Sequence, residues 1–296
     1  MEEWWKKYVN LIPSAGIFYP EENWCNLSSS QGYRIQTYRF SHSHPKGIVF
    51  MFHGLRSNAE YLSYISKFLY ENGYTVLAMD QQGHGKSEGP RSLIASVNYL
   101  IDDSLKYIEK GLELYDRNLP VFLLGESLGG CISLQLSLRC PEAFRGLILL
   151  APAVGVSQYG EGIAKKFTRF VSWMKPNMRL ISRSQSKASK NPSFPDWHRD
   201  NPLIDKTGLP IISANALLQG LEDLQKQVKN IIVPFLTIQG GKDYIISAKV
   251  TQWFVKQAKS ADKNMIFYDN LYHSIGAEPE IDEILQQILN WMSARI

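Results

Sequence analysis

Short apolar runs alternate with amphipathic stretches along most of this chain. Residues 33–40 alternate apolar and polar positions, the pattern of a half-buried strand. Residues 47–52, 74–79, 121–124 and 146–150 are continuous apolar runs, as strands buried on both faces require. Residues 234–238 and 265–268 complete the strand set. Helices fall between them. Asn58 is placed to cap a segment with Leu62, Ile65 and Leu69 on one face, stopped by Gly73. Val97, Ile101, Leu105, Ile108 and Leu112 share the helical period, and residues 127–139 form a helix rich in small residues before Pro141. Val250, Phe254 and Ala258 repeat at intervals of four. Ile281, Ile284, Leu285, Ile288, Leu289 and Met292 mark the last helix. Strands alternating with helices predict an α/β fold with a mostly parallel central sheet and helices on both faces.

The alternation breaks once. Between Leu150 and Pro234 no parallel-strand run stands out, although Leu217, Leu218, Leu221, Leu224 and Val228 are helically spaced. A gap this long in a compact domain is rarely bare loop. It predicts a helical cap inserted into the core over the carboxyl edge of the sheet. The expected division is a first core segment at 1–151, a cap at 152–233 and a second core segment at 234–296. With 296 residues in total, this is one interrupted core rather than two tandem domains.

Composition narrows the class. The chain is 44% hydrophobic and 20% charged, which excludes a disordered or fibrous protein. The three cysteines, Cys25, Cys131 and Cys140, are too few for a disulfide framework, and the N-terminus lacks a secretory signal. No apolar run is long enough to span a bilayer. These features predict a cytoplasmic protein. The net charge of +4 is concentrated. Residues 160–190 hold eight basic residues (Lys165, Lys166, Arg169, Lys175, Arg179, Arg183, Lys187 and Lys190) against one acid, Glu161, for a local charge of +7. Phe167, Phe170, Trp173 and Met174 are interleaved with them. That mixture reads either as a peripheral membrane-contacting surface or as a solvated face whose apolar side covers a site. No nucleic-acid-binding motif accompanies the cluster, so nucleic acid is not expected. His42-Ser43-His44 has no third ligand, and no metal site is expected.

The chemistry begins at Gly125-Glu126-Ser127-Leu128-Gly129, a G-x-S-x-G motif. Alone the pattern is weak, but here it follows an apolar strand and opens a helix, the setting that exposes a nucleophilic hydroxyl. A serine hydroxyl needs a positioned base, and the base needs an orienting carboxylate. In the chain order Ser…Asp…His, His273 fits as base because it follows the strand at 265–268 and precedes the last helix. Asp243, in Gln239-Gly240-Gly241-Lys242-Asp243, fits as the carboxylate, with Asp269 its rival. An acyl intermediate also needs backbone donors for its oxyanion. The N–H groups of Leu55, after His53-Gly54, and Leu128, after the serine, are the expected pair. His53 is expected to organise its loop, and Cys131 to pack inside.

These residues carry a resemblance. The chain resembles the α/β-hydrolase superfamily, and within it the monoacylglycerol lipase and lysophospholipase family. The carrying motifs are His53-Gly54, the stretch from Asp80-Gln81-Gln82-Gly83-His84 to Gly89, Gly125–Gly130, Gln239–Asp243 and Tyr272-His273-Ser274. The match runs from about Gly32 to the C-terminus and is weakest in the cap. The Gly-Glu-Ser form of the elbow resembles the plant-type branch that includes caffeoylshikimate esterase. Gln239 departs from the family, which usually has histidine there. The resemblance implies Ser127, Asp243 and His273 as a triad, Asp80 and His84 as structural residues, lipid esters such as monoacylglycerols or lysophospholipids as substrates, and no cofactor. A competing expectation is a hydrolase-fold interaction subunit with little turnover. The divergent cap and the N-terminal Trp4, Trp5, Tyr8, Val9 and Ile12 motivate it, since that segment can dock on the domain, a partner or a membrane. Oligomeric state is left open.

Overall fold

A computed structural model describes residues 3–155, 178–180 and 188–296. Its centre is an eight-stranded sheet in the order β1-β2-β4-β3-β5-β6-β9-β10. The strands are β1 (Glu21–Glu22), β2 (Thr37–Phe40), β3 (Ile48–Phe52), β4 (Thr75–Met79), β5 (Val121–Glu126), β6 (Gly146–Leu150), β9 (Phe235–Gly240) and β10 (Lys263–Tyr268). From β4 to β10 every neighbouring pair is parallel; β1 and β2 join antiparallel at one edge. The alternating stretch at 33–40 therefore pairs only through its second half, while Arg34 makes an isolated bridge to Ser28.

The central strands were expected to be apolar without interruption, and they are buried on both faces because each face meets helices. In β3, Val49 and Met51 point into one core, and Ile48, Phe50 and Phe52 into the other. The first core is closed by α1 (Ser63–Glu71) and α7 (Ile281–Ser293), through Ile65, Leu69, Ile284, Leu285 and Ile288. The second is closed by α2 (Val97–Leu112), α3 (Leu128–Arg139) and α6 (Ala248–Gln257). Asn58 caps the turn leading into α1, its Oδ1 accepting the Tyr61 amide at 3.0 Å.

Between β6 and β9 the described residues hold β7 (Arg179–Leu180), paired antiparallel with β8 (Leu209–Pro210), then α4 (Phe194–Asp200) and α5 (Ile211–Gln227). The leucine series at 217–224 lies on α5. Two-residue strands such as β1, β7 and β8 are too short to leave a pattern. Most of the basic cluster lies outside the described residues. Of its members, Arg179 pairs with Asp205 at 3.1 Å and Lys190 pairs with Glu280.

The N-terminal segment packs onto the domain. Trp4 meets Trp197 of α4 with ring centroids 6.2 Å apart, the Tyr8 hydroxyl donates to Asp200 at 2.7 Å, and Lys7 pairs with the same carboxylate. Ile12 is buried in the first core. No helix among the described residues is long and apolar enough to cross a membrane.

Candidate active site

Ligands in open parallel sheets collect at the carboxyl ends of the strands. Four of the chain's loops converge there. Leu55 follows β3, Ser127 ends β5, Asp243 follows β9 and His273 follows β10. Ser127 sits at φ 54° and ψ −113°, a left-handed conformation that costs a non-glycine residue about 1–3 kcal/mol. The surroundings fix it: its amide donates to the Leu150 carbonyl at 2.9 Å, and its own carbonyl accepts from Gly130 and Ala153. The flanking glycines are sterically required. A Cβ on Gly125 would lie 2.2 Å from the Gly129 carbonyl oxygen, and one on Gly129 would lie 1.9 Å from the Phe52 carbonyl oxygen.

The bend aims the serine at His273. Its Oγ lies 3.0 Å from His273 Nε2, and His273 Nδ1 lies 2.8 Å from Asp243 Oδ2. An ionised carboxylate only accepts, so Nδ1 carries the ring proton and Nε2 is the acceptor for the serine hydroxyl. Asp243 is buried and its second oxygen accepts the amides of Ile245 and Ile246, each at 2.8 Å. Asp269 is exposed, which decides between the two carboxylates. Leu55 and Leu128 line the same cavity as Ser127 and His273. Neither backbone N–H donates to another described residue; for Leu128 this is expected at the first turn of α3, where amides have no helical acceptor.

Gln239 has a place that sequence reasoning missed. Its Nε2 donates to Asp243 Oδ2 at 3.1 Å, while its Oε1 accepts from Thr251 Oγ1 at 2.9 Å. The departure at this position therefore supplies a donor to the carboxylate. The only signal was its position, four residues before Asp243 across a Gly-Gly turn.

Glu126 was noted only as part of the elbow. It is buried beside the nucleophile, where the Tyr61 hydroxyl donates to Oε1 at 3.2 Å and the Gly276 amide at 3.4 Å. Burial is the main cause that pushes its carboxyl up to about 7.

The other histidines divide. His53 is fully buried. Its Nε2 accepts the Gln81 amide at 3.0 Å, so Nδ1 is the donor to the Gly54 carbonyl at 2.8 Å. Burial lowers it to about 4, leaving a neutral ring that ties the loop after β3 to the loop after β4. Asp80 organises the same region, accepting the Ala59 and Lys86 amides and the Tyr38 hydroxyl, all at 2.7 Å. His84 is buried and neutral against the Gln82 carbonyl. His42 and His44 lie on a turn where His42 Nδ1 accepts the His44 amide. Cys131 is buried at the cavity wall, and burial pushes its thiol up to about 12.

The cavity has a volume of about 380 Å³. Val97, Leu128, Leu217 and Leu221 line it, with Arg56 from the loop after β3, Phe194, Trp197 and His198 from α4, and Ile204 from the segment after α4. A mainly apolar chamber beside a hydrogen-bonded Ser-His-Asp arrangement can hold an apolar acyl group against a nucleophile.

Known proteins share the fold. Residues 43–280 match the Hydrolase_4 family, described as serine aminopeptidase, S33. Human monoglyceride lipase is 29% identical over 254 residues, covering 85% of this chain and 84% of its own. Caffeoylshikimate esterase of Arabidopsis thaliana is 27% identical over 272 residues, covering 85% and 79%, so identity does not single out the plant-type branch. Among solved structures, a Paleococcus ferrophilus monoacylglycerol lipase superposes with a TM-score of 0.75 at 24% identity, covering 88% of this chain and 99% of its own. A soluble variant of the Saccharomyces cerevisiae monoglyceride lipase gives 0.78 at 18%, covering 94% and 99%, and these two show the shared fold. This chain belongs to the Hydrolase_4 family of the α/β-hydrolase superfamily.

Proposed function

We propose that the chain hydrolyses carboxylic esters of lipids, monoacylglycerols or lysophospholipids, through an acyl-enzyme on Ser127. The observation that carries this reading is the unbroken chain of hydrogen bonds from Ser127 Oγ through His273 to Asp243, ending on a strained serine at a cavity wall. Membership of the family and the named activities of its relatives place the chain among carboxylic ester hydrolases.

His273 Nε2 takes the hydroxyl proton as Ser127 Oγ attacks the ester carbonyl, and Asp243 stabilises the imidazolium that forms. The Leu55 and Leu128 N–H groups hold the oxyanion, as preorganised donors do. His273 returns the proton to the departing alcohol. Water then attacks the acyl-enzyme with His273 as base, releasing the acid and restoring the serine. No step calls for a cofactor. Within the expected cap at 152–233, Phe194, Trp197, Leu217 and Leu221 line the cavity, and the basic residues of its sequence suit peripheral contact with anionic membranes.

Replacing Ser127 with alanine should lower ester turnover by roughly 10⁴–10⁶-fold. A fluorophosphonate probe should label the folded parent at Ser127. An unlabelled, folded parent would favour the interaction-subunit reading. One motive for that reading is weakened already, because Trp4 and Tyr8 are engaged on α4.

A further inference from the structure

We infer that Arg56, with His198 beside it, forms a subsite for an anionic group, a phosphate or a carboxylate, on the alcohol portion of the ester. The inference rests on the esterase reading and deepens it.

Arg56 directly follows Leu55, and its side chain lines the cavity together with Ser127 and His273. It stands at φ 55°, a left-handed conformation that glycine would adopt without strain. Its guanidinium is partly buried, and burial is the main cause that lowers its pKa. Its recorded bonds run from Nε and one Nη to a single acceptor, the Asp205 carbonyl. The other Nη has no hydrogen-bond partner among the described residues, and no carboxylate there forms an ion pair with Arg56. Asp205, the nearest acid to influence it, has its carboxylate engaged by Arg179 at 3.1 Å, by the Thr207 amide at 2.9 Å and by the Thr207 hydroxyl at 2.6 Å. A partly desolvated guanidinium with no ion-pair partner among the described residues is costly, and its fork suits phosphate or carboxylate.

The surroundings point the same way. His198 lines the cavity and makes no hydrogen bond to a described residue. Burial first, then the positive charges of Arg56 and Lys206, lower His198 to about 4, so its ring is neutral and offers an N–H donor rather than a charge. Arg179 also bears on Arg56. The lining contributed by α2, α3 and α5 is apolar and suits the acyl chain, which leaves the part beside Arg56 to the alcohol.

The test uses three butanoyl esters that are monomeric in water, so that no lipid surface contributes charge: those of glycerol, glycerol 3-phosphate and glyceric acid. In the parent, kcat/KM for a charged ester should exceed that for the glycerol ester. In Arg56→Gln the charged-to-neutral ratio should fall at least about tenfold, through KM, and Arg56→Lys should restore part of it. A response to the phosphate ester alone assigns a phosphate, and a response to the glycerate ester alone assigns a carboxylate. A ratio unchanged in Arg56→Gln for both overturns the subsite. If Arg56→Gln does not fold, inorganic phosphate and acetate decide: competitive inhibition of the parent by either supports the subsite, and inhibition by neither overturns it. Turnover of the glycerol ester together with a charged-to-neutral ratio that does not depend on Arg56 sinks the subsite alone. Absence of ester turnover together with no fluorophosphonate labelling sinks the esterase reading as well.

Discussion

Two buried carboxylates flank His273, and they are treated differently. Asp243, in the loop after β9, has donors on both oxygens: His273 and Gln239 on one, the Ile245 and Ile246 amides on the other. Glu126, at the end of β5, has the Tyr61 hydroxyl at 3.2 Å and the Gly276 amide at 3.4 Å, both on one oxygen. The first arrangement suits a fixed negative charge. The second leaves the charged form poorly solvated, and the carboxyl is pushed up to about 7. Burial alone therefore does not decide what an acid does; the number and aim of the donors do.

The largest test of this contrast is Asp243→Asn. It should lower kcat by roughly 10⁴-fold, because an amide can stabilise the wrong tautomer of His273 and no longer stabilises the imidazolium. Steady-state kinetics on a p-nitrophenyl ester measure it. A loss below tenfold would remove Asp243 from the mechanism.

Glu126→Gln should act on stability. The Glu126 pKa rises from 4.5 in the unfolded chain to about 7 in the folded one. Below pH 4.5 both states keep the proton and nothing is lost. As pH rises through 7 the unfolded chain has already released its proton, so the parent loses up to about 3 kcal/mol. Denaturant unfolding of parent and variant between pH 4 and pH 8 checks this: the gap should widen in favour of glutamine as pH rises. Parallel curves would refute the contrast between the two acids.

Gln239→Leu removes a donor from Asp243 while keeping bulk. It should reduce kcat by roughly ten- to a hundredfold, the scale of one hydrogen bond to a charged group, leaving KM nearly fixed. An equal rise in KM would show that the residue shapes the cavity instead.

The smallest effect is expected from Tyr61→Phe, which takes a donor from Glu126. The carboxyl should then hold its proton to a higher pH, so the upper end of the range over which stability is lost should move upward, deepening the loss by about 1 kcal/mol. A downward move would mean that the hydroxyl does not serve the ionised form.

Much of this was legible in the chain. The parallel strands announce themselves as continuous apolar runs because helices cover both faces of the sheet. Ser127, Asp243 and His273 stand out because each follows a readable strand, so the sequence order alone implies their convergence at one sheet edge. Asp269 stayed a rival since exposure has no sequence signature here. Arg56, His198, Glu126 and Gln239 were not assigned to the site for a common reason: their significance lies in which partners they meet, or lack, across loops far apart in the chain. The oxyanion roles proposed for Leu55 and Leu128 rest on backbone position, which side-chain identity does not encode.

The docking of the first residues against α4 has a practical meaning for protein engineering. α4 has seven residues, well short of the roughly 12–15 a helix needs to persist alone in water. It presents Phe194, Trp197 and His198 to the cavity, while Trp4 packs on Trp197 and Lys7 and Tyr8 hold Asp200 at its end. Substitutions at the start of the chain thus offer a dial on which esters are accepted, remote from the bond-breaking residues and separable from them in a selection.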